Sequence, residues 1–148
     1  MSEAKFEEIA QLLAEREHPV AFLATVDVQG FPQVRPLTLM SHGKDFYLAT
    51  STSSRKALQL TRDDRVEFVS LLPKEGNTGY LRVMGNAKRV VDPALAKKVT
   101  EACGYPVKKY WQGVEDDDFF LIRVEPQRVE YMKPGEFEAI EVTRDYVE

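Results

Sequence analysis

The stretch Phe46–Leu60, FYLATSTSSRKALQL, runs from an aromatic, β-prone segment through serines and threonines into two adjacent cations, Arg55 and Lys56. Ala57, Leu58 and Leu60 then give a short helical pattern for which Ser53 or Ser54 is the N-cap. A helix N-terminus carries about half a positive charge and several unpaired N–H groups, so cations are unfavourable there. A bound phosphate gives them a reason. The N–H groups, the serine and threonine hydroxyls and the side chains of Arg55 and Lys56 would converge on one dianion. A serine-capped helix with two solvated basic side chains is the other reading of the same residues.

Arg35 is the second feature. In QVRPLTLM, Gln33–Met40, strict alternation places Arg35 on the same face as Leu37 and Leu39. An arginine on a largely apolar face has an anion or acceptor as partner, or reaches water from the rim of a barrel. Other chemistry-bearing residues are weaker candidates. His42 sits in a Ser-His-Gly turn, solvated or placed to donate a proton, and His18, at a helix end before Pro19, is assigned no chemistry. Cys103 lies at a helix C-terminus, the wrong end to activate a thiol, and is read as structural. Tyr105, Tyr110 and Trp111 cluster after a helix, as core or as a cover for a ligand. Glu115–Asp118 is a run of carboxylates read as a solvated turn, and no metal site is expected.

The elements that must position these residues are mostly strands. Ser2–Glu17 reads as an amphipathic helix capped by Ser2, with Phe6, Ile9, Ala10 and Leu13 on one face. β-Prone runs follow at Val20–Val28, Gln33–Ser41, from Phe46, at Arg65–Leu72 and at Tyr80–Val91, with Pro73–Gly79 as a loop. Asp92-Pro93 starts a helix that ends near Gly104. Phe119–Val124 and Val129–Met132 read as late strands broken at Pro126, with Phe137–Val142 as a further strand. Mostly sequential strands with short turns predict an antiparallel barrel or sandwich in one domain spanning residues 1–148.

Composition bounds the partners. The 148 residues are 43% hydrophobic and 30% charged, an ordinary globular composition, with no apolar run of membrane-spanning length. The N-terminus is acidic and charged, unlike a signal or transit peptide, and the single cysteine excludes an internal disulfide, so a cytoplasmic protein is expected. A net charge of −4 argues against a general nucleic-acid binder.

Taken in order, Arg35, Thr50 and Ser54-Arg55-Lys56 resemble the pyridoxamine 5'-phosphate oxidase-like family of FMN-binding split β-barrels. Leu23–Asp27 with Gly30-Phe31-Pro32 is similar to that family's first hairpin, and Leu81–Val90, with Gly85 at its centre, to its long strand. The resemblance covers roughly residues 20–100. It implies a mainly β, six-stranded antiparallel split barrel holding FMN at a homodimer interface. It also implies that Arg35 reaches the phosphate region, that the segment with Pro36, Leu37 and Thr38 lines the flavin, and that Ala49 and Thr50 flank the ring or ribityl chain. Arg55 and Lys56 would grip the phosphate beside Ser54, and Trp111 would cover the ring of the FMN bound by the partner subunit. Tyr80 stands where the family's oxidases place a glutamine against the flavin. The tail from Pro126 lacks the Arg-, His- and Trp-rich signature of true pyridoxamine phosphate oxidases, so the chain looks closer to short nitroimidazole-reductase-like and general-stress-type members. The implied function is FMN-dependent reduction of a small electrophile, with a reduced nicotinamide as donor. The alternative is a flavin, deazaflavin or haem carrier or stress sensor without turnover.

Overall fold

The computed structural model describes residues 2–147, with side chains from residue 5 to 147. The cap expected from Ser2 lies outside the described side chains. Helix α1 (Ser2–Ala14) ends at Ala14 rather than Glu17, because Glu15, Arg16 and Glu17 offer no further apolar group to bury. The strands are β1 (Val20–Val26), β2 (Pro32–Thr38), β3 (Met40–His42), β4 (Asp45–Ser51), β5 (Arg65–Lys74), β6 (Asn77–Val90), β7 (Phe119–Met132) and β8 (Ile140–Glu141). Between them lie α2 (Arg55–Arg62), α3 (Pro93–Ala102) and the short α4 (Val107–Tyr110).

All pairings are antiparallel, in the order β2-β1-β5-β6-β7-β4-β3, with β8 added to β7. β2 and β3 stand at opposite edges of this sheet, yet only Leu39 separates them in sequence. The sheet must therefore curl until its edges come together, and the Leu39 N–H, donated to the Pro19 carbonyl at 2.8 Å, holds the crossing point. Taken as one strand bent at Leu39, β2 and β3 reduce the seven strands of that order to a six-stranded split barrel. The run expected as one strand over Gln33–Ser41 is thus divided between two edges.

Alternation fills the inside. Leu23, Phe46, Leu48, Phe68, Val83 and Ile122 point into the barrel, where Ile9 and Leu13 of α1 and Ala57 and Leu60 of α2 join them. β4 and β7 are buried on both faces. Tyr47, Ala49, Phe119 and Leu121 turn outward into a second core under Ala96, Val99 and Val107 of the α3–α4 segment. This double burial places the end of β4 between the barrel and the aromatic segment after α3.

Two expected breaks are continuous strands. Pro73–Gly79 is not a loop: β5 and β6 run through it and turn at Glu75-Gly76, both with positive φ (52° and 84°), a two-residue hairpin that matches strand twist. β7 likewise passes through Pro126. The register slips there, Met84 facing Arg128 and Gly85 facing Pro126, so that Gln127 is the extra residue of a bulge that tolerates a residue without an N–H. Gly85 permits the close approach, since a Cβ there would lie 2.0 Å from the Glu125 carbonyl oxygen. Of the strand expected at Phe137–Val142 only Ile140–Glu141 pairs, and Phe137 is fully solvent-exposed.

Candidate functional site

The turn from β4 into α2 is tied down before the helix begins. Ser54 is the N-cap, its Oγ accepting from the Ala57 N–H at 3.1 Å and from the Thr50 hydroxyl at 3.1 Å. Asp118, just before β7, clamps the loop from the other side. Its Oδ1 accepts from the Thr52 hydroxyl at 2.8 Å and the Ser53 N–H at 3.4 Å, and its carbonyl from the Thr52 N–H at 2.9 Å. Hydroxyl donation from Thr52 and Ser51 holds the Asp118 carboxyl below the usual carboxylate range. The acidic run is therefore not all solvated turn, for Asp116 also accepts the Gln112 and Asp118 N–H groups at 3.0 and 2.9 Å. Among the described residues no cluster suited to a metal ion occurs.

Arg55 and Lys56 occupy the first turn of α2, and Arg35 lies on β2 opposite Leu23. Among the described residues none of the three forms a salt bridge. They act on one another instead. Burial, and then the charge of Arg55, pushes Arg35 below its ordinary pKa, and burial, then the charge of Arg35, does the same to Lys56. Three cations near one helix N-terminus with no carboxylate among them make the local potential positive.

Neutral groups hold Arg35. Its Nη1 donates to the Thr25 hydroxyl at 2.6 Å and the Leu23 carbonyl at 3.5 Å, and its Nη2 reaches the Gln59 and Gln33 side-chain carbonyls, each at 3.4 Å. Thr25 and Gln59 are buried, 1% and 8% exposed, whereas Gln33 and Arg35 are half-buried, so the network runs from the interior to the surface. Sequence reading missed Thr25, Gln33 and Gln59. Only the alternation that puts Gln33 on the face of Arg35 pointed to any of them.

A cleft of about 510 Å³ opens between β2, the end of β4 and the α3–α4 segment. It brings together Pro36, Leu37 and Thr38, then Ala49 and Thr50, and Trp111 from the far wall. Tyr105 stacks on Trp111 with ring centroids 6.5 Å apart, and Tyr110 meets it edge-on at 5.6 Å. The bond from Thr50 to Ser54, and the adjacency of Pro36 to Arg35, join this cleft to the cationic cluster. The ten residues singled out from the sequence thus fall into a cleft and a charged end that share a border. His18 also lines the cleft, although no chemistry was expected of it. His42 does not line it; it pairs with Asp45 across β3 and β4. Cys103 donates to the Ser41 carbonyl at 3.4 Å, and burial pushes its thiol up, as suits a structural cysteine. Tyr80 lies on the outer face of β6, its ring 5.7 Å from the Arg82 guanidinium, and is not part of the cleft.

The family model described as pyridoxamine 5'-phosphate oxidase matches residues 6–133. No curated protein matches the chain in sequence. Among solved structures, general stress protein 26 from Bacillus anthracis is similar with a TM-score of 0.71 at 22% identity, over 92% of this chain and 97% of that one. A haem-binding protein from Mycobacterium smegmatis gives 0.76 at 21% identity, over 95% of this chain and 59% of its own. A NimC/NimA family protein from Clostridium acetobutylicum gives 0.72 at 17% identity, over 92% and 90%. Identities this low speak for a shared fold. The sequence match speaks for descent: it runs from α1 to the end of β7, through every strand of the barrel, and places this chain in the pyridoxamine 5'-phosphate oxidase family.

Proposed function

We propose that the chain is an FMN-binding flavoprotein, active as a homodimer, that passes reducing equivalents from a reduced nicotinamide to a small electrophile. The observation that carries this reading is the group of three cations without a carboxylate partner near the Ser54-capped start of α2, which the Thr50–Ser54 bond joins to the border of the cleft. The family generally binds flavin. The residues present fit FMN: Arg55, Lys56 and Ser54 would hold the phosphate and Arg35 would reach its region. Pro36–Thr38, Ala49 and Thr50 would line the flavin and its chain, and Trp111 would cover the ring. Bound FMN supplies hydride and electron transfer, and the protein supplies orientation, charge and a shelter from water. The described tail argues against pyridoxamine phosphate as substrate. Val142 packs into the barrel core and Tyr146 against Phe6 and Phe46, and among the described residues none beyond Trp111 lines the cleft.

A homodimer is supported by the outer face of the sheet, and members of the family are commonly dimeric. Phe22 of β1 lies between Pro36 of β2 and Val69 of β5, with exposed Val34, Leu71 and Met84 around it. Glu67 and Arg82, two charges on this face, pair with each other at 3.1 Å. A continuous apolar face of four strands marks an association surface, and Pro36 joins it to the cleft.

Titration with FMN and riboflavin tests the phosphate site. Charge-assisted bonds are worth roughly 1.5–3 kcal/mol each, so FMN should bind at least ~10-fold more tightly, and equal affinities would end the assignment. A second reading, a haem carrier, draws on the likeness to the mycobacterial haem-binding protein and on His18 at the cleft. The visible spectrum of the purified protein separates the two, a Soret band for haem against flavin absorption. Failure of a reduced nicotinamide to bleach bound FMN without oxygen would favour a carrier over an enzyme.

A further inference from the structure

We propose that Gln59 is a positioning residue that aims Arg35 at the ligand's phosphate while leaving the arginine's charge uncancelled, and thereby sets the preference for a dianion. The proposal rests on the FMN reading above. Gln59 lies on the buried face of α2, and its Oε1 accepts from the Thr25 hydroxyl at 2.5 Å and from Arg35 Nη2 at 3.4 Å. Its Nε2 donates to the Gln33 Oε1 at 2.9 Å, so the orientation of the amide is set from both ends. Gln33 Nε2 continues the chain to Asp27 Oδ2 at 3.4 Å. Gln33 Oε1 also accepts from Arg35 Nη2 at 3.4 Å, so the Gln33 amide stands between Arg35 and Asp27, whose other oxygen is taken by the Gln29 and Phe31 N–H groups at 2.9 and 2.8 Å.

A glutamate fits the same volume and would be the ordinary partner of a half-buried arginine. It would pair with Arg35 and close the network on itself. The amide fixes the guanidinium by hydrogen bonds, as a carboxylate would, but contributes no charge. With Arg55 and Lys56 adding to the local positive potential, the counter-charge is left for a ligand to bring. Burial of Thr25 and Gln59 on one side of the half-buried guanidinium strengthens this difference between amide and carboxylate.

The test measures FMN and riboflavin affinity by fluorescence titration, with folding followed by circular dichroism, for the wild-type chain and for Gln59→Glu. The expected result is a fall of about 10-fold or more in FMN affinity for the variant, with riboflavin affinity unchanged within about twofold. The FMN affinity of the variant should also show a weaker salt dependence, since the site's net charge drops by one. A merely structural role would move both ligands together. Gln59→Met supplies the uncharged control: it removes the aim without adding charge, and should weaken FMN selectively but less. A folded Gln59→Glu that keeps the wild-type preference overturns the role of Gln59 and leaves the phosphate site standing. Equal affinities in the wild-type chain overturn the phosphate site itself. If the charged variant does not fold, Gln59→Met decides, an unchanged preference overturning the proposal. If neither folds, Gln59 is a structural residue and the proposal fails.

Discussion

At the scale of single residues, Arg55 and Lys56 show how an unfavourable local arrangement points to a ligand. A cation in the first turn opposes the helix dipole by roughly 0.3–1 kcal/mol, and here a third cation, Arg35, adds its own repulsion. Arg55→Ala and Lys56→Ala are therefore expected to leave the apo protein as stable as before, within about 0.5 kcal/mol, or slightly more stable. Each should weaken FMN by ~10-fold or more, the worth of a charge-assisted bond, while sparing riboflavin. Thermal melts of the apo forms beside FMN titrations check both halves. Unfolding of either variant under conditions where wild-type apo-protein is folded would assign that residue a structural role instead.

Among the elements, the β4–α2 connection and the β6–β7 bulge decide how well the site is held. Asp118 fastens the loop before the cap, and its carboxyl titrates below the ordinary range when folded. That contribution is fully present above the pKa of an unfolded aspartate, about 3.9, and is lost as pH falls through the lower folded value. Asp118→Asn should thus lower the melting temperature at neutral pH and flatten part of the acid dependence. An unchanged acid slope would place the acid sensitivity elsewhere. At the bulge, Gly85 has no room for a side chain, its Cβ position lying 2.0 Å from a backbone oxygen of β7. Gly85→Ala must push β6 and β7 apart and should cost about 2 kcal/mol or more, read as a shifted denaturant midpoint. A midpoint equal to wild type would mean that the strands part without penalty.

For the whole molecule, the barrel has one apolar face left over after its interior and the α3–α4 core are filled. Phe22, 42% exposed, stands near the middle of it, between β2 and β5. Phe22→Asp would place an unpaired charge where a second copy is expected to dock, at a cost of several kcal/mol to association. Light scattering should then report a monomer for the variant and a dimer for the wild type, with FMN affinity reduced alongside. A wild-type monomer that still holds stoichiometric FMN would contradict the interface.

The sequence alone determined what depends on near neighbours. A serine before two cations is a capped helix start, alternation put Arg35 beside Leu37 and Leu39, and sequential β-prone runs made the fold antiparallel. These are effects of a few residues' spacing, and they survive any later packing. What depends on distant partners was decided by the tertiary structure. Gln59 meets Thr25 across 34 residues and Asp118 meets Thr52 across 66, and nothing near either residue marks the pairing. Pro126 reads as a strand breaker until Gly85 on the neighbouring strand makes room for a bulge. His18 gained its place at the cleft only because the barrel's two edges come together at Leu39, beside Pro19. A cap or a face is written in local spacing, whereas a buried hydrogen-bond partner is chosen by whichever strand the closed sheet brings alongside.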